Sequence, residues 1–187
     1  MALAYIEKIP TQYRNEFEQR VNRIARKYGF APSWLMVVMN IETGGAFRPG
    51  LYQISGAVGL IQFTTVAAKS LNTNLTYLAS LNVIEQLDWV DKYFALWKPT
   101  GKIKRPVDLY LLVFAPAFIG AAQNKVLYSA PSAAYSQNKS LDRAKKGYIS
   151  VSDVQRVLDS YGSKLEKAAA VGVSSLLLIL LIYLLLK

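Results

Sequence analysis

The chain has 187 residues, enough for one compact domain, with 22 lysines and arginines against 12 acids and a formal net charge of +10. Neither histidine nor cysteine is present, which excludes Ser-His-Asp and Cys-His catalysis, His- or Cys-based zinc hydrolysis and any disulfide framework.

In chain order, Met1–Ile6 is too short an apolar stretch for a signal peptide before Glu7 and Lys8 intervene. Thr11 after Pro10 is placed to cap a helix. That helix carries Tyr13, Phe17, Val21, Ile24 and Tyr28 at three- and four-residue steps, and Gly29 stops it. Pro32-Ser33 opens a second, strongly apolar helix, on which Leu35, Val38, Ile41 and Glu42 share one side. A carboxylate so placed is desolvated, which raises its pKa and makes it a candidate general acid. A solvated glutamate at a helix end is the ordinary alternative. Gly44 and Gly45 are suited to end the helix, and a Gly-, Ser- and Pro-rich loop follows over 43–58, with a short hairpin expected near 50–58. A short helix is expected over Thr65 to Leu71. A longer one presents Val83, Leu87, Val90, Phe94 and Trp97 on one face and ends at Pro99. Lys98 to Arg105 is a basic loop. Val107 to Phe114 is apolar nearly all round and predicts a buried central helix, with Asp108 as its N-terminal acid. Asp88 and Asp91 lie on a regular amphipathic helix and are expected to be solvated.

Asp142 to Asp153 has the outline of an EF-hand loop, with Asp first, Gly sixth, Ile eighth and Asp twelfth, but Ala144 and Lys146 stand third and fifth where ligands belong. Arg143, Lys145 and Lys146 oppose a divalent cation, so no metal is expected, and Lys145 or Lys146 is the candidate to supply the missing positive charge. Ser152 and Gln155 match a capping box ahead of Val154, Val157, Leu158, Tyr161 and Leu165. No alternating strand pattern stands out. Gly162-Ser163 reads as a hinge that divides a domain over 1–163 from an anchor over 164–187. Ala168 to Leu186 contains no charged residue, and at about 1.5 Å per residue it would cross roughly 28 Å as a transmembrane helix.

The segment Glu42-Thr43-Gly44-Gly45-Ala46-Phe47-Arg48-Pro49, followed by Ser55-Gly56-Ala57-Val58-Gly59-Leu60-Ile61-Gln62-Phe63, resembles the signature of the soluble lytic transglycosylases and goose-type lysozymes. Val83–Phe94 and Asp108–Ala117 resemble the helices that follow it in phage members, and the likeness covers roughly residues 15–160. The Asn that cellular members carry in the later segment is absent. The resemblance implies a mainly α, lysozyme-like domain with a long glycine-rich loop, joined here to the C-terminal transmembrane helix. It also implies cleavage of peptidoglycan between N-acetylmuramic acid and N-acetylglucosamine by a single catalytic glutamate, Glu42, without a cofactor. Gln62 is the first candidate to position sugar through its amide. Ser55 and Tyr52 come next, and Tyr110 and Phe114 offer a stacking wall, for which core packing is the ordinary alternative. Gly56 and Gly59 would let backbone approach a sugar, and Phe47 and Pro49 would pack and stiffen the loop.

The expected partners are peptidoglycan glycan strands, a lipid bilayer through the C-terminal helix, and other virion proteins. The basic second half suits a polyanion, but no nucleic-acid module is recognisable and nucleic acid is not expected. More positive charge precedes the apolar span than follows it, which would keep the domain on the cytoplasmic side, away from the wall. A phage particle containing a membrane resolves that conflict, so the expected location is a virion or host membrane, with a role in wall penetration or lysis. Open alternatives are a hydrolytic lysozyme, an inactive membrane-bound structural virion protein, and a pore-forming lysis protein.

Overall fold

The structure, a computed structural model, describes residues 3–53, 56–162 and 164. After a 3-10 turn at Thr11–Tyr13, helix α1 runs Arg14–Tyr28. It ends where Gly29 takes φ 76° and its N–H returns to the Ala25 carbonyl, a left-handed cap that glycine adopts without Cβ strain. Thr11 makes no side-chain cap; it begins the 3-10 turn instead. Helix α2 is Pro32–Glu42, with the proline in the first turn where no N–H is needed. Its Leu35, Met36, Val37 and Met39 are fully buried. Two short helices follow, α3 (Thr65–Ser70) and α4 (Leu75–Ser80), capped by the Thr64 and Asn74 side chains. Helix α5, Val83–Trp97, opens with a capping box in which Asn82 accepts from Ile84 and Glu85 N–H and Glu85 returns to Asn82 N–H at 2.9 Å. Its apolar face closes at Phe94, since Trp97 is largely exposed.

Helix α6, Pro106–Phe114, is the buried central helix: Val107 through Leu112 are all buried. Asp108 accepts the N–H groups of Lys104 and Arg105 at 3.0 and 2.8 Å and pairs with the Arg105 guanidinium at 2.6 Å, so it is a helix-entry acid tied into structure. Two strands then appear that the sequence pattern did not announce. Strand β1 (Val126–Ser129) and strand β2 (Tyr148–Ser150) pair antiparallel with one irregularity between Val126 and Tyr128. At four and three residues they are too short for a period of two to register. Helix α7 (Ala133–Asn138) lies between them, and α8 (Val151–Asp159) follows β2 directly. The cap of α8 is Ser150 rather than Ser152, because the Asp153 carboxylate accepts both the Ser150 N–H and its hydroxyl at 2.8 and 2.7 Å. Among the described residues the fold is thus mainly α with one small sheet.

Helix α2 packs between α1 and α6, α5 covers α1, and α8 covers α6. Phe17, Val21, Ile24, Leu35, Met39, Leu87, Phe94 and Leu112 join these helices into one core. Burying side chains of this size contributes about 1.5–3 kcal/mol each before the entropy of ordering is set against it. Asp88 and Asp91 are not free acids: Asp88 pairs with Arg20, and Asp91 with Lys27 at 2.8 Å and the Tyr28 hydroxyl at 2.7 Å, clamping α5 to α1. Burial, then the Asp91 carboxylate, pushes the Tyr28 phenol up to about 12. Among the described residues no helix is long and apolar enough to cross a membrane; the expected span over 168–186 lies outside them.

Candidate active site

Glu42 is the last residue of α2, and the apolar side of that helix carries it to the edge of the core, where it is half-buried. Burial of the carboxyl raises its pKa to about 7, and the neighbouring Tyr110 hydroxyl opposes that rise. No lysine or arginine among the described residues pairs with Glu42, and no second carboxylate acts on its ionisation. The result is an acid close to half-protonated at neutral pH, flanked by phenols. Tyr110 is buried, and its own pKa is raised by burial and by the Glu42 carboxylate. Tyr93 also feels the Glu42 charge, and its hydroxyl donates to the Leu112 carbonyl at 3.3 Å.

The loop after Glu42 is held from within. Thr43, 2% exposed, donates to the Met39 carbonyl at 2.7 Å and accepts the Phe47 N–H at 3.1 Å. Phe47 is buried at φ 49°, a left-handed conformation unusual for a phenylalanine. Gln53 donates its side-chain amide to the Glu42 carbonyl at 3.2 Å, bringing the 51–53 segment alongside the end of α2. Isolated bridges join Tyr52 to Val58 and Val58 to Phe63, so the expected hairpin is a pair of single bridges and not a strand pair.

Two expectations for this loop change. Gly59 is not open to a ligand: at φ 88° a Cβ there would fall on the Gln86 amide, so the close approach it permits is internal. Gln86, fully buried on α5, accepts the Leu60 N–H at 2.6 Å and donates to the Leu78 and Pro49 carbonyls at 2.8 and 3.1 Å, stapling the loop to α4 and α5. Gln62 likewise turns its amide nitrogen inward, to the carbonyls of Gly59 at 2.9 Å and Leu51 at 3.3 Å, on a backbone at φ 51°. Its carbonyl oxygen is buried without a partner.

Of the expected site residues, Tyr110 meets Glu42. Phe114 stacks on Tyr110 with centroids 6.0 Å apart at 26° and meets Tyr128 edge-on at 5.8 Å. Tyr52 is half exposed and reaches the site only through its neighbour Gln53. Ser55 lies outside the described residues. Tyr93 and Gln86 were not singled out from sequence, although Gln86 stands on the same apolar stripe as Val83, Leu87 and Val90, an anomaly that marks a buried amide.

The EF-hand outline carries its own cation. The Lys146 ammonium lies 2.7 Å from Asp153, the twelfth position, while Asp142, the first, accepts the Lys146 and Gly147 N–H groups and the Tyr135 hydroxyl at 2.9, 2.8 and 3.0 Å. Burial works against both charges, but these partners hold the Asp142 and Asp153 carboxyls below the usual range. Among the described residues no cluster of three His, Cys, Asp or Glu side chains could hold a metal.

Comparison with protein-family models, with curated proteins and with solved structures finds no match to this chain.

Proposed function

We propose that the chain is a membrane-anchored lytic transglycosylase that cleaves peptidoglycan glycan strands with Glu42 as sole acid and base. The observation that carries this reading is the Glu42 carboxyl: desolvated, unpaired by any cation among the described residues, partly open to solvent, and poised near neutrality. The resemblance of residues 42–63 to the transglycosylase signature supplies the substrate class. In the proposed reaction the Glu42 acid protonates the oxygen between N-acetylmuramic acid and N-acetylglucosamine, and the bond to the muramic C1 breaks. The carboxylate left behind takes the proton of the muramic C6 hydroxyl as that oxygen bonds to C1. Glu42 is thus restored, a 1,6-anhydro end forms, and no water is consumed. A two-carboxylate hydrolase needs a second acid at a set separation. The other buried carboxylates among the described residues, Asp108, Asp142 and Asp153, are each bound to partners of their own.

Tyr110 is assigned to steady the glutamate carboxylate, and Tyr110 with Phe114 to wall the sugar. Gln62 is not assigned to the sugar, since its nitrogen belongs to the loop and its carbonyl oxygen is buried. The tail over 168–186 is assigned to a bilayer, and the proposed setting is a phage particle with a membrane. The test is release of soluble fragments from dye-labelled sacculi by the full chain. The wild type should release them, and folded Glu42→Gln should not; equal release by both would refute the assignment.

A further inference from the structure

The carboxyl end of the described chain returns to the Glu42 region. Lys164 N–H donates to the Tyr161 carbonyl at 2.9 Å, so the backbone is still turning there. The Lys164 ammonium stands 5.3 Å from the centre of the Tyr5 ring. That ring packs on Phe47 with centroids 6.3 Å apart, and Phe47 is locked to Thr43, the residue after Glu42. Tyr161 packs against the core and lies near enough to Tyr110 and Tyr5 to disfavour ionisation of both. Exit point, amino-terminal turn and Glu42 loop are therefore packed together through the buried Phe47 ring.

The other end of α8 is different in character. Val151 N–H bonds the Lys125 carbonyl at 3.0 Å, and the Arg105 guanidinium ties the 99–105 loop to the Ala121 carbonyl at 2.7 Å. Lys102, Lys104 and Lys125 are exposed on these loops. The nine residues of α8 set the two ends about 14 Å apart along its axis. From Lys164 to Ala168 the chain advances four residues, a reach of at most about 14 Å, and the uncharged segment begins there.

We infer that the face bearing Tyr5, Tyr161 and Lys164 is held against the surface of the bilayer that receives the tail, so that the Glu42 site takes glycan lying along that surface. This rests on reading residues 168–186 as a membrane anchor. So short a tether leaves the patch beside the exit point nearest the lipid, with the Lys102, Lys104 and Lys125 loops at the opposite end of α8. The patch suits that place: tyrosines favour the headgroup layer, and Lys164 offers an ammonium group to lipid phosphates.

The chain has no cysteine, so single labels can be placed without a background. Arg48→Cys marks the Glu42 side and Lys102→Cys the far side; both positions are exposed. Each full-length variant is labelled with a donor fluorophore and reconstituted into phosphatidylglycerol/phosphatidylcholine vesicles whose headgroups carry an acceptor. Greater loss of donor emission from the Arg48 label than from the Lys102 label is expected. Equal loss, or greater loss from Lys102, would overturn the orientation. Failure of the protein to float with the vesicles would overturn it too, by removing the anchor. Neither result depends on whether Glu42 cleaves glycan.

Discussion

Replacing Glu42 by glutamine should make the protein more stable, and only in one pH range. In the unfolded chain the carboxyl ionises near its model value of 4.5, whereas in the fold it holds its proton to about 7. The folded state therefore binds more protons between these values, and its stability must fall as pH rises through that window. At 1.36 kcal/mol per unit, the full loss above pH 7 is about 3 kcal/mol, an upper figure because the residue keeps some exposure to solvent. Glutamine has no charge to desolvate and escapes the loss. Urea unfolding of both proteins at pH 4, 6 and 8.5 measures this directly. The difference at pH 4 reports shape and hydrogen bonding alone, and any growth above it reports the charge. The advantage of Glu42→Gln should increase from pH 4 to 8.5 by up to about 3 kcal/mol, or roughly 6–12 °C in melting temperature for a domain of this size. Parallel stability curves across the whole range would refute the claim that the carboxyl is desolvated.

Glycan cleavage should decline as pH rises through about 7, because the acid is lost, and Tyr110→Phe should move that limb upward by removing the hydroxyl that favours the carboxylate; pH–rate profiles of both proteins check this. Gly59→Ala should cost about 2–4 kcal/mol, from strain at positive φ and collision with Gln86, and Gln86→Leu should cost as much by stranding the Leu60 N–H and two carbonyls; chemical denaturation measures each. Lys146→Met should destabilise the protein by about 1–3 kcal/mol by uncovering Asp153, while millimolar calcium should leave the wild-type melting temperature unchanged, as thermal scans would show.

Helices with strong apolar periodicity were legible from the sequence. Leu35 and Val38 placed Glu42 at the edge of the core, Gly29 marked the end of α1, and the run from Val107 announced the buried helix. Asp108 was readable as a helix-entry acid because such acids follow a local rule. What failed was decided by contacts distant in the chain. Ser150 and Ser152 both precede a plausible third-position partner, and the choice fell to Ser150 because its backbone closes β2 while Asp153 also receives Lys146. The direction of the Gln62 amide follows from its positive φ and two loop carbonyls, neither visible in a motif. Gln86 meets Pro49 and Leu60 across more than twenty residues of intervening chain, and Lys164 meets Tyr5 across almost the whole domain. Such meetings follow from packing, on which periodicity is silent.

The most direct measurement is mass spectrometry of purified peptidoglycan digested by the full chain and, in parallel, by Glu42→Gln. The account predicts 1,6-anhydro-muropeptides from the wild type and none from the variant. Reducing-end products in their place would contradict the internal attack by the C6 hydroxyl, and no products from folded wild type would contradict the assignment of Glu42 as a catalytic acid.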